Sequence, residues 1–563
     1  MGASQPAVGR PSSGMTSSGM STSVRALTAV AMLAGFYLLA LGIVAALVAL
    51  DVSLYLASGE LRPALLKIWA VSAVIAYPVV RVVFLTRNRR DDRELPGLPV
   101  TREEQPRLWA AVDRISERTG IRGPAEIRLV PEVNAGVREE TRFLGLVPGK
   151  RHLVIGVPLL LGLTEAELEA VLAHEFGHYS NQDVRLAGLT LAGRTALLRT
   201  VGGLHERADA HQAKEAAKLQ AKADKRLAQG RKVSAEEATG GVDRVLAKLF
   251  TQYGKLYFRV SEAVGRRQEY AADLVAARLS GRDATASALR RIPALDAAQD
   301  FYLGHYATLG WEAGLLPPAG QFYGGLAHLL TDPERRAELD AMALELPGSE
   351  PDPYDSHPPI ELRVAAVEAL PDDGRGAGST APALGLLHDA EQVLAALEVV
   401  SLVPEAARKE RVDWPALVHR SLLADCREST RPLRDALAAL GLAPTVGAAL
   451  DAIDAGRAQE LVERLPLGPE ARAATGRAAR ELARPVLRGA LSGLTVLALV
   501  DAGLSGWELS WSGPARLRLP DGLGERLTTA LDAACADSPD TTALRAVLTE
   551  AGLPAAPATV TVP

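Results

Sequence analysis

Two cysteines in 563 residues, Cys426 and Cys535, are too few and too far apart to build a disulfide scaffold. Neither belongs to the CxxC spacing that a zinc knuckle or a redox dithiol needs, so both are expected to be buried and reduced. Aromatic residues are scarce at 4% while apolar residues make up 48%, so the core has to be filled by Ala, Leu and Val. That composition favours helices and argues against an all-β architecture. A surplus of basic charge is missing as well. The 62 Lys and Arg stand against 67 Asp and Glu, a formal net charge of −5, and nothing electrostatic points to nucleic acid. What the chain does have is length, enough for two or three domains and a sizeable core.

Residues 1–24 hold almost no large apolar side chains and bury too little surface to offset backbone ordering, so a disordered tail is expected. From Ala26 to Leu50 there are 25 positions without a charge. That is about 37 Å of helix at 1.5 Å per residue, more than the hydrocarbon of a bilayer. The hydrophobic stretch of a secretory signal is only about 7–15 residues long, so this one reads as an uncleaved span. A second stretch, Pro63–Leu85, carries only Lys67 and Arg81, each near an end from which a long side chain reaches the interface. Residues 25–90 therefore predict a transmembrane helical hairpin with Asp51–Arg62 as its connection. Arg10 and Arg25 precede it and Arg87, Arg89, Arg90 and Arg93 follow it. Cationic flanks stay inside, which predicts a multi-pass protein of the cell membrane with everything after residue 90 facing the cytoplasm and the lipid bilayer as a partner.

Beyond the hairpin the period changes. Glu103–Thr119 reads as a helix; Glu126–Val130, Thr141–Val147 and about His152–Gly156 read as strands, the last two joined by a turn at Pro148-Gly149-Lys150. Thr164-Glu165-Ala166-Glu167 is a capping box, so a helix starts there and carries Leu168, Val171, Leu172, His174, Glu175 and His178. Residues 184–204 are apolar, but Arg185, Arg194 and Arg199 would each cost about 2.5–3.5 kcal/mol at mid-bilayer. A helix packed on the protein or lying on the lipid surface fits better than a third span. Residues 205–236 are a charged helical insertion, and another helix covers about Val242–Leu279. Residues 371–563 read as an Ala-rich helical C-terminal domain of unknown role. It contains a hairpin near Trp507–Leu519 and an apolar run, Gly489–Val500, too short to span a bilayer and read as a buried helix.

The chemistry concentrates in His174-Glu175-Phe176-Gly177-His178. At 3.6 residues per turn the two imidazoles project from one helix face, one turn apart, close enough to bind one metal ion. Glu175 beside them can take a proton from a water that the metal acidifies and pass it to a leaving amine. This is the zincin arrangement. A third ligand is still needed, and Asn181 and Val184 stand where a metzincin would have Gly and His. Glu269, with Asp273 one turn on, offers carboxylates from a distant helix that must fold back. A site closed by four protein ligands would instead be a structural staple in an inactive membrane scaffold or binding protein.

Three stretches together make the sequence similar to the HtpX-type membrane zinc metallopeptidases, gluzincins related to the CAAX prenyl endopeptidases. They are Leu172–His178 with Asn181 and Asp183, Glu269–Asp273, and Ser356-His357-Pro358-Pro359 with Arg363. The resemblance spans about residues 100–370. It implies one zinc ion held by His174, His178 and Glu269, with Glu175 as general base and Asp273 orienting a ligand histidine. It further implies that His357 and Arg363 stabilise the oxyanion and that Asn134 lines the substrate cleft. Two spans are fewer than prenyl endopeptidases have, which argues against prenylated substrates. The expectation is a mainly α protein with a small mixed β-sheet (α+β). Its parts are the N-terminal hairpin, a zincin-like domain over 91–370 and the helical C-terminal domain. Its expected work is hydrolysis of protein or peptide substrates in membrane-protein or misfolded-protein turnover.

Overall fold

The computed structural model describes residues 22–60, 62–85, 95–142, 147–178, 184–229, 241–346 and 358–553. The expected tail falls outside them except for its last three residues, as do the four arginines after the second apolar stretch, Asn181, Asp183 and His357.

Helix α1, Thr22–Ser58, does not stop at Leu50. The expected connection Asp51–Arg62 is therefore mostly helix, and α2, Pro63–Val79, begins five positions after α1 ends. Asp51 looked like a helix end because it is charged, yet its carboxylate accepts a 2.9 Å hydrogen bond from Ser72 Oγ of α2. It is a rung between the two helices. Pro63 opens α2 at a position where no N–H is needed, and Pro78 is followed by a π-helical turn, Val80–Leu85. By length and composition Val30–Ser58 can cross a membrane, with a mean hydropathy of 2.5.

The remaining elements follow in the order β1 (Leu98–Val100), α3 (Pro106–Thr119), β2 (Glu126–Val130), β3 (Ala135–Arg142), β4 (Val147–Gly156), α4 (Val157–Gly162) and α5 (Glu165–Gly177). After them come α6 (Val184–Ala228), α7 (Gly241–Ser280) and α8 (Arg282–Tyr302). The sheet has the order β1-β2-β4-β3, with β1 antiparallel to β2, β2 parallel to β4 and β4 antiparallel to β3. The fold is thus mostly helical with a small mixed sheet.

Strand β3 ends at Arg142 and its antiparallel partner β4 begins at Val147, so Pro148-Gly149-Lys150 are part of β4 rather than a turn. Proline is tolerated there because β2 pairs only with His152–Gly156. Among the described residues the first half of β4 has β3 on one side and no strand on the other, an edge position of the kind that tolerates a proline.

Helix α6 packs on the protein. Leu197 and Leu204 of α6, Phe250 and Tyr257 of α7, Phe36 of α1 and Val79 of α2 form one buried apolar cluster. The charged stretch is the continuation of α6 to Ala228; residues 230–240 lie outside the described ones.

The core beneath the sheet is built from Leu108, Ile127, Leu129, Leu153, Ile155, Leu168 and Phe176. The same core also takes in Ala383, Leu386, Leu387, Leu394 and Leu397. Backbone bonds stitch this later segment to the start of α5: Glu165 N–H donates to Ala381 O at 2.8 Å and Ala383 N–H to Leu163 O at 3.0 Å. A second core holds both free cysteines and the helices Trp414–Ala439 and Gly476–Asp501. The latter helix is apolar enough to span by composition, but Leu491, Leu494 and Leu497 are buried inside this core.

Leu397 is fully buried. Leu397→Ala is expected to destabilise the sheet-containing core by about 2–5 kcal/mol. Denaturant unfolding monitored at Trp109 checks this, and an unchanged midpoint would show that the segment merely rests on the surface.

Candidate metal centre

The capping box exists as drawn. Thr164 Oγ1 accepts from Glu167 N–H at 3.3 Å, and Glu167 Oε2 accepts from Thr164 N–H at 2.8 Å. The other carboxylate oxygen of Glu167 accepts from Ser287 Oγ at 2.5 Å and lies 3.3 Å from Arg291 Nε. A residue readable as a cap thus also fixes α5 against α8.

One helix turn separates His174 from His178, and their rings stand edge to face with centroids 4.8 Å apart. Ligand atoms of His174, Glu175 and His178 all lie within 4.8 Å of one another. Helix α7 crosses α5 very closely here: a Cβ on Gly177 would sit 2.9 Å from Ala272 Cα. Without a side chain at 177 the two backbones approach, and the residues flanking Ala272 on α7 face the histidines. Glu269 Oε2 lies 3.4 Å from His174 Nε2 and Glu269 Oε1 lies 3.6 Å from His178 Nε2. Two ligands at about 2.0–2.1 Å from a tetrahedral ion are themselves about 3.3–3.4 Å apart, so this donor set fits a zinc ion.

Asp273 faces the other ring nitrogen, with Oδ1 2.9 Å from His174 Nδ1. A neutral His174 that donates from Nδ1 keeps the Nε2 lone pair for a metal. Arg363 comes from the helix Ile360–Glu368 and is 5% exposed. Its Nε and Nη2 donate to Asp273 at 2.9 and 2.7 Å, and Nη1 lies 3.3 Å from Glu269 Oε2. The guanidinium is therefore engaged with the two α7 carboxylates. Asn134 is exposed in the turn between β2 and β3, outside this cluster, and its carbonyl accepts from Gly156 N–H at 2.6 Å.

Burial penalises charge on Asp273, yet hydrogen bonds from Arg363 and His174 outweigh it and lower its pKa. Burial likewise opposes a charged His174, but Asp273 and Glu269 prevail and push its pKa up to about 9. In the metal-free protein the resulting stability is complete below the ordinary histidine value of 6.5 and is lost as pH rises through 9. Metal binding needs the neutral ring. Binding of a divalent ion at pH 7.5 is accordingly expected to release close to one proton from His174, and almost none at pH 10. Calorimetry in buffers of different ionisation enthalpy measures this, and equal release at both pH values would contradict it.

Residues 103–370 match the profile of peptidase family M48. Protease HtpX homolog 1 of Streptomyces coelicolor is 29% identical over 290 residues, 50% of this chain and 84% of that protein. Protease HtpX of Shewanella denitrificans is 28% identical over 268 residues, 46% and 72% of the two chains. A Protease HtpX homolog of Tropheryma whipplei is 36% identical over 90 residues, 16% of this chain and 28% of that protein. No solved structure matches the chain.

Proposed function

We propose that this chain, which over residues 103–370 matches peptidase family M48 and is similar to HtpX proteases, is a membrane-anchored, zinc-dependent endopeptidase of that family whose catalytic part faces the cytoplasm. The observation that supports this most is the meeting of two α5 imidazoles with an α7 carboxylate at 3.4 and 3.6 Å, beside Glu175. His174, His178 and Glu269 would hold the metal. When bound, the metal supplies Lewis-acid activation of water and of the scissile carbonyl. Glu175 accepts the proton of the attacking water and returns it to the departing amine. An extended peptide adds to β3, one of the two edge strands of the sheet, where Asn134 stands just before the strand begins. The substrates are proteins or peptides, and turnover of membrane or misfolded proteins is the setting that suits an anchored protease.

Arg363 acts as a positioning residue. Its guanidinium holds Asp273, Asp273 holds the His174 ring, and the same guanidinium steadies Glu269.

Glu175→Gln is expected to retain one zinc per chain by metal analysis while cleaving an unfolded protein about 10²–10⁴-fold more slowly. Equal cleavage by the variant and the wild type would overturn the mechanism, and a fourth protein ligand found by metal spectroscopy would favour a structural staple. Asp273→Asn is expected to weaken metal binding about 10–100-fold in a chelator competition. Arg363→Met should do the same and, by taking the guanidinium away from two buried carboxylates, also cost about 3–5 kcal/mol of stability in thermal unfolding.

A further inference from the structure

Behind α5, on the face away from the histidines, lies a cavity of about 360 Å³ between α3, the end of α7 and the segment that follows residue 374. Ligand pockets run from about 300 to 1,000 Å³, so this one suits a small occupant. Its floor is apolar, with Ile115, Leu168, Leu172 and Leu386 among the lining side chains. Its rim carries charges of both signs, and most of them are already committed. Arg118 pairs with Glu169 at 2.8 Å and also donates to the Leu279 carbonyl at the end of α7. Arg375 donates to the carbonyls of Leu279 and Arg278 at 2.8 and 2.9 Å. Arg114, also on the rim, makes no ion pair among the described residues. Glu165 is held loosely, 3.4 Å from the mostly exposed Arg107. Ser280 Oγ is buried and makes no hydrogen bond among the described residues.

One available cation, one available anion and one hydroxyl stand over an apolar floor. A fatty acid would satisfy Arg114 but bring its carboxylate against Glu165 and Glu169. An uncharged apolar solute would cover Arg114 and Ser280 with nothing to bond them, which is costly for a buried donor. A molecule with an ammonium, a carboxylate and apolar side chains satisfies all three. We infer that this cavity binds a short apolar zwitterion, a free di- or tripeptide with hydrophobic side chains. Its carboxylate meets Arg114 and Ser280, its ammonium meets Glu165, and its side chains lie on Ile115, Leu168, Leu172 and Leu386. The site touches α5 and α7, the helices that bring the candidate metal ligands together, but binding at it does not depend on the proposed peptidase activity.

The test is titration calorimetry of the full chain in detergent with leucyl-leucine, N-acetyl-leucyl-leucine amide and decanoate. Leucyl-leucine should bind saturably, and the other two, lacking one or both charges, at least about tenfold more weakly. Arg114→Ala and Glu165→Gln should each weaken leucyl-leucine about tenfold, and Ala111→Phe, which fills the cavity from α3, should abolish it. If Ala111→Phe fails to fold, the two rim substitutions decide. No saturable binding of leucyl-leucine, equal binding of the blocked peptide, or affinities indifferent to both rim substitutions would each overturn the proposal.

Discussion

Two carboxylates one turn apart on α7, Glu269 and Asp273, are buried to 5% and 2% exposure. Charged groups so far from water persist only with cationic partners and hydrogen bonds. Among the described residues Arg363, His174 and His178 face them, from two other segments. The need to neutralise α7 therefore pins three remote parts of the sequence to one point. A buried arrangement of this kind adds little net stability compared with an apolar substitute, but losing one member strands the others. What it contributes is placement. The His174 ring is oriented by Asp273 at one nitrogen, and its other nitrogen faces Glu269.

That placement also depends on how closely α5 and α7 can approach. Gly177 supplies the missing side chain at their crossing, and Ala272 supplies the small one. The start of α5 is set independently by Thr164 and Glu167, by the Glu167 bonds to Ser287 and by the backbone bond to Ala381. Helix α5 is thus held at its first turn by local capping and by two later segments, and at its last turn by α7. Little freedom remains for the imidazoles, as a metal site needs.

The local part of this was legible in the amino-acid sequence. His-x-x-x-His spacing places two rings on one face whatever the surroundings, and a capping box involves only four neighbouring residues. The strand Glu126–Val130 and the helix ending at Thr119 also follow from local pattern. Features set by tertiary partners were not legible. Pro148 reads as a turn because nothing local says that its strand has an open side. Asp51 reads as a helix end because Ser72, its partner, is 21 positions away. Leu394 and Leu397 read as part of a separate helical domain because helical periodicity does not say which core receives the apolar face. Arg363 reads as a group aimed at substrate, and only the fold supplies the carboxylates that engage it. The added roles of Gly177 and Glu167 had a faint signal, a glycine and a second acidic oxygen whose partners lie on other helices.

Helix α7 joins the apolar helices to the candidate metal centre without a break. Tyr257 is fully buried in the cluster shared with α1 and α6, and Glu269 is 269 − 257 = 12 residues further along the same helix. At 1.5 Å per residue this is about 18 Å of continuous helix. A helix is stiff over that length, so displacement of the apolar cluster carries Glu269 and Asp273 with it. Helix α5 is tied to the sheet core and to the segment after residue 380. The histidines thus come from a helix of the sheet core, and the carboxylate from a helix that is buried in that core at Ala276 and in the apolar bundle at Tyr257. Their meeting at Gly177 and Arg363 makes the geometry of the centre dependent on how the bundle seats against the core.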